Sequence, residues 1–100
     1  MRKLQIDWDR PVVASKDQVS CDLAGEAAIL NLKAGVYYGL DAVGTRIWDL
    51  IQRPRTAGRL HEALLKEFAV EPARCRKDLL VFLNDLAAHG LIESVSEAHP

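Results

Sequence analysis

The stretch VYYGLDAVGTRIWDLI, residues 36–51, starts with the alternation of a strand and ends with the spacing of a helix, with only a Leu-Asp pair between the two patterns. A strand and a helix joined without a loop must pack against each other at once, so the junction dictates a layer of sheet against a layer of helix. Asp41 stands where a carboxylate accepts a hydrogen bond from the first free N–H groups of a helix. The helix is predicted over 42–52, because Val43, Ile47, Leu50 and Ile51 recur at helical spacing and Trp48 widens the stripe. Gly44 inside it costs about 1 kcal/mol relative to Ala, which predicts a close approach by another segment. Arg53 and Pro54 end the helix.

Upstream, residues 18–21 alternate and lead into the turn chemistry of Asp-Leu-Ala-Gly at 22–25, and 26–32 (EAAILNL) is apolar and of strand length. Lys-Ala-Gly at 33–35 is a second turn. Three antiparallel strands joined by tight turns are the expectation. Downstream, Thr56 is an N-cap candidate for a helix carrying Leu60, Leu64, Leu65 and Phe68, ending near Ala69. Pro72 opens a third helix as a first-turn proline, and Gly90 closes it at 89. Leu91, Ile92 and Glu93 resume an extended apolar stretch. Strands grouped before helices give an α+β domain, a winged helix-turn-helix with the three-stranded antiparallel sheet placed first. Residues 1–17 read as a loosely held arm with Trp8 pinned on the domain surface, 18–93 as the domain, and 94–100 as a tail.

One hundred residues allow one modest core, and 49% hydrophobic against 27% charged residues gives it the material to form. Thirteen basic residues against fourteen acidic ones leave no field to draw in nucleic acid or an anionic membrane. Cys21 and Cys75 lack metal or redox spacing and read as reduced, partly buried thiols. No apolar signal region or membrane span occurs, so a cytoplasmic protein is expected.

The third helix carries the functional signal. At 100° per residue, Cys75, Leu79, Phe82, Leu83 and Leu86 share a core stripe. One flank is wet, with Arg74, Asp78 and Asp85. The other stays apolar through Ala73, Leu80 and Ala87, rimmed by Arg76 and Asn84. This shoulder either packs under a terminal segment or walls a groove. The strand at 36–40 carries no proline or charge to protect a free edge, so an extended peptide can add to it as a fourth strand.

The succession AAILNLKAGVYYGLDAVGTRIWDLI, TAGRLHEALLKEF and DLLVFLNDLAAHGLIE resembles the PqqD-like family of small peptide chaperones, most of all the stand-alone recognition proteins of lasso-peptide biosynthesis. The resemblance spans about residues 19–93. It implies a winged-helix fold that binds the leader of a ribosomally made precursor and presents it to a separate leader peptidase and cyclase, or to another modifying enzyme. By matching position, it implies that Val36, Tyr37, Tyr38, Gly39 and Leu40 supply the edge. Arg76, Leu80, Leu83, Asn84 and Ala87 then supply the helix wall, Arg76 pairing with an acidic leader residue and Leu80 and Leu83 seating apolar anchors. Asp41 stands where asparagine is common in the family and caps a helix equally well.

Other classes fare worse on the residues. His61, His89 and His99 are dispersed and none lies at metal-ligand spacing. No nucleophile motif occurs, so no catalytic residue, metal or cofactor is expected. The alternatives are a winged-helix DNA-binding regulator, for which Arg74, Arg76 and Lys77 cluster but Asp78 and Asp85 follow, and a chaperone for a radical SAM peptide-modifying enzyme. A dimer through the free edge competes with peptide for one surface.

Overall fold

In the computed structural model, residues 6–16, 18–23, 26–31, 33 and 35–95 are described, for 22 and 23 the backbone alone. Eight elements follow in the order β1 (Val12–Ala14), β2 (Gln18–Leu23), β3 (Glu26–Asn31), β4 (Val36–Leu40), α1 (Ala42–Leu50), α2 (Ala57–Glu67), α3 (Pro72–Ala88) and β5 (Ile92–Ser94). The expected α+β order, a three-stranded antiparallel sheet β2-β3-β4 followed by three helices, is what forms. Gly35 takes a positive φ of 69° ahead of β4, a backbone state that costs glycine nothing. Ala24, Gly25 and Ala34 of the two expected turns and Leu32 of the expected strand 26–32 lie outside the described residues, as do His99 and most of the expected tail.

The caps fall where the sequence put them. The Gly44 N–H donates to Asp41 Oδ1 at 2.7 Å, and the Arg59 N–H donates to Thr56 Oγ1 at 3.2 Å. At the third helix an unexpected cap appears: Glu71 accepts from the Ala73 and Arg74 N–H groups, both at 3.0 Å, with Pro72 behind it at the first turn. Gly90, at φ 72°, lets the chain leave α3. The α1 helix ends at Leu50 instead of 52 because Pro54 forbids a helical residue before it and the turn tightens ahead of it.

The core gathers Ile29 and Leu40 from the sheet, Ile47, Trp48 and Ile51 from the α1 region, Leu60 and Leu64 from α2, and Leu79, Leu83 and Leu86 from α3. Cys75 joins them as a buried free thiol. Burial pushes its pKa up and the Asp78 charge adds to the effect, which keeps it protonated. Arg46 holds Glu67 through two contacts, 2.7 and 3.1 Å, tying α1 to the end of α2.

Residues 6–16 of the arm expected to be loose are stitched in, and 1–5 and 17 lie outside the described residues. β1 pairs antiparallel with β5, Val13 opposite Glu93, as a second, two-stranded sheet. Val12 also exchanges backbone bonds with Arg55, Ala14 donates to Ile51 O, and Ser15 to Leu91 O. Val12 is fully buried. This pairing joins segments about eighty residues apart, so no local pattern announces it.

Candidate functional site: the open edge of β4

Within the described residues β4 pairs with β3 alone, leaving its other edge without a strand partner. Alternation along β4 assigns its side chains. Leu40 is buried in the core, so Tyr38 and Val36 point the same way, toward the helices, and Tyr37 and Gly39 point to the opposite face.

Tyr38 settles which flank of α3 meets the strand. Its hydroxyl donates to Asp85 Oδ2 at 2.5 Å. Its ring stands edge-on to Phe82 at 6.3 Å and to His89 at 5.5 Å between centroids. Residues 82, 85 and 89 are spaced as one helix flank. Partial burial, then the hydrogen bond and charge of Asp85, then the charge of Asp41, push the Tyr38 phenol up to about 12, so it stays a donor at any physiological pH. His89 Nδ1 lies 2.8 Å from the Asp85 backbone oxygen.

A cavity of about 310 Å³ begins at Asp41, the residue after β4, and is walled by Val43, Gly44 and Ile47 on α1 and by Asp78, Leu79 and Phe82 on α3, together with Leu64 and Val70. Gly44 is there for a reason of space: a Cβ at this position would lie 3.3 Å from Phe82 Cζ and 3.4 Å from Leu40 Cδ2. The close approach expected of that glycine is the contact between α1, α3 and the end of β4. Asp41, Asp78 and Asp85 give the groove an acidic border.

The opposite flank of α3 is occupied by the protein's own N-terminal segment. The Ile6 N–H donates to Asn84 Oδ1 at 3.0 Å, and the Asn84 amide donates to Leu80 O. Arg76 lies 4.3 Å over the ring of Trp8, which also meets His61 edge-on and packs beside Gly58. The expectation that Trp8 is pinned on the domain surface is met. Arg76, Leu80, Asn84 and Ala87, expected as the helix wall, lie on the flank facing residues 6–8, on the far side of the core stripe from Tyr38. Leu83 is fully buried in the core and has no surface to seat a partner. Phe82, Asp85 and His89, read from sequence as core, wet face and dispersed histidine, are the residues beside the open edge. Their spacing of three and four along a helix is the signal that would have joined them.

Among the described residues no group of three or more His, Cys, Asp or Glu is placed to hold a metal, and no helix is long and apolar enough to cross a membrane. Residues 26–92 match the family model described as Coenzyme PQQ synthesis protein D (PqqD). The chain belongs to the PqqD family. Among solved structures, this PqqD-family protein is similar to TbiB1 in complex with the TbiA(beta) leader peptide, at 34% identity, covering 85% of this chain and 99% of that one with a TM-score of 0.75. A lasso peptide synthetase B1 complexed with the leader peptide shares the fold at 15% identity, covering 82% of this chain and 96% of that one, TM-score 0.72. No curated protein matches the sequence significantly.

Proposed function

We propose that this PqqD-family protein binds the leader segment of a ribosomally synthesised precursor peptide by strand addition to β4, and hands it to separate maturation enzymes, a leader peptidase and a cyclase of lasso-peptide biosynthesis. One observation carries the reading: a strand without a partner on one edge runs beside the Phe82–Asp85–His89 flank and ends at an apolar cavity. Backbone bonds to Val36–Leu40 supply affinity that any extended sequence can use, and the cavity supplies preference for a bulky apolar side chain. The acidic border favours a basic leader residue over the acidic one expected from Arg76, whose guanidinium is stacked on Trp8. The similarity to two leader-bound proteins supports the same reading. In it the protein has no chemistry of its own, and Tyr38 serves to fix the strand against the helix.

Calorimetric titration with synthetic leader peptides, the TbiA(beta) leader bound by the similar TbiB1 first among them, at two salt concentrations, tests the proposal. One-to-one binding that weakens little with salt is the expected result. Failure to bind any of them, together with steeply salt-dependent binding to duplex DNA, overturns it in favour of a winged-helix regulator.

A further inference from the structure

Among the described glycines, Gly39 alone has no reason in the free protein. Gly35 and Gly90 stand at φ 69° and 72°, and a Cβ at Gly44 or Gly58 would meet its nearest neighbour at 3.2 or 3.0 Å. Gly39 has no positive φ, and a Cβ there would meet only Tyr37 Cε1, at an ordinary 3.9 Å. Glycine inside a strand costs backbone entropy and leaves the pleat without a side chain to pack. Three things account for such a residue: a bulge, a sharp bend, or the close approach of another molecule. The register of β4 on β3 runs unbroken from Val36 to Leu40, so there is no bulge. The chain turns only after Leu40, where Asp41, still extended at φ −81° and ψ −173°, caps α1. Approach by another molecule is what remains.

The strand decides where that molecule sits. Leu40 turns into the core, so the side chain that Gly39 lacks belongs to the outer face of the sheet, away from the cavity beside Phe82. Gly39 is exposed, and on one side it stands opposite Ala28 of β3. Its other side is the open edge. Side chains directly opposite each other on neighbouring strands share a face and lie about 5 Å apart. A strand added to β4 therefore sets one residue against Gly39 with its side chain on this outer face. The Tyr37 ring, 64% exposed and on the same face, borders that space with apolar surface. The space is that of one missing side chain, which a single residue of a bound strand fills. The extended chain that the reading above brings to this edge is the leader.

We infer that Gly39 is a specificity-determining residue of the peptide site, admitting one bulky apolar side chain of the leader on the outer face of the added strand, against the Tyr37 ring. This subsite rests on the peptide-binding reading above and lies on the opposite face of the strand from the cavity. Alternation puts the leader residue that fills it out of phase with those facing the helices.

Gly39→Val and Gly39→Ala test it, with the synthetic TbiA(beta) leader, or whichever synthetic leader the parent binds most tightly, and its single-alanine variants as probes. Affinity is measured by calorimetry, folding by a thermal melt and size by sedimentation. Both substitutions suit a strand, so both proteins melt at or near the temperature of the parent. Loss of about 50 Å² of apolar burial weakens leader binding to Gly39→Val by about 5- to 10-fold. In the parent, alanine at one leader position costs a similar factor; in Gly39→Val the same alanine costs nothing further, because the space is already filled. Parental affinity in Gly39→Val overturns the subsite and leaves leader binding standing. Losses that fall equally on every alanine variant overturn it too, since they place the leader backbone and no side chain over Gly39. If Gly39→Val unfolds, Gly39→Ala decides in its place: a loss of about two- to threefold, cancelled at the same leader position, is expected, and parental affinity overturns the subsite. A dimeric parent beside a monomeric Gly39→Val assigns the space to a second copy and overturns it. Absence of leader binding to the parent removes the underlying reading, and the subsite with it.

Discussion

Truncating Phe82 to Ala separates the two flanks of α3. Phe82 is half-buried, packed against Gly44 and the Tyr38 ring and forming one wall of the cavity at the end of β4. Of the ~200 Å² a Phe side chain can bury, roughly 50 Å² is left for the peptide to cover, and a similar area of the peptide is covered in return. At ~25 cal/mol per Å² the two together come to about 2.5 kcal/mol, close to 70-fold in Kd. Relaxation of the peptide into the enlarged cavity lowers this, so a loss of about 10- to 70-fold is expected. The ring's buried part contributes to the fold as well. A fully buried Phe→Ala costs about 3 to 5 kcal/mol, so a ring with roughly three-quarters of its area buried should cost about 2 to 4, which a domain of ordinary stability survives. The assay is calorimetry with the leader beside a thermal melt, run in parallel on Leu80→Asp, which lies on the flank facing Trp8 and Ile6. If Phe82→Ala binds like the parent while a folded Leu80→Asp has lost binding, the peptide lies on the other flank and the reasoning from Tyr38 is wrong.

Leu83→Ala should lower stability by about 2 to 5 kcal/mol, read from a denaturant curve, because Leu83 is fully buried; a variant of parental stability with weakened leader binding would restore it to the groove wall. Spectrophotometric titration should show Tyr38 ionising near pH 12, and Asp85→Asn should bring it part of the way back, since burial remains as the larger cause. The phenol's pKa is raised on folding, so its contribution to stability is complete below pH 10 and is lost as pH rises toward 12. Leader binding should slow amide hydrogen exchange along β4, on the residues whose N–H groups face the free edge; exchange unchanged in a saturated complex would exclude strand addition. Gly58→Val puts a Cβ 3.0 Å from Trp8 Nε1 and should push the indole into water, seen as a red shift of its fluorescence, with leader affinity unaltered.

Much of the architecture is local and was legible for that reason. The caps at Asp41 and Thr56 and the glycine at Gly90 act within four residues along the chain, so their chemistry is written beside the backbone groups they satisfy. The three strands and the core stripe of α3 follow from periods of two and 3.6 that a single segment displays. The unprotected β4 edge and the family resemblance also came from residues adjacent in sequence, and the match over 26–92 agrees with the latter.

Tertiary structure decided what periodicity leaves symmetric. A helical pattern tells which residues share a stripe and which lie on its two sides, but not which side meets a given neighbour; the way α3 crosses the sheet sets that. Leu80 and Ala87 looked like a groove wall because they are apolar, yet that flank is taken by Ile6 and Trp8, and a tyrosine hydroxyl on Asp85 fixes the other flank against the strand. The same holds for β4, where alternation separates Tyr37 from Tyr38 but only the packing of Leu40 into the core tells which of them faces in. The β1-β5 pairing was hidden most deeply, since three residues at each end of the chain acquire strand geometry only from each other. Sequence determined the three-stranded sheet, the helices and the open edge; the fold chose the sides and made the β1-β5 pair, because handedness and distant pairing are properties of the assembled chain and of no segment within it.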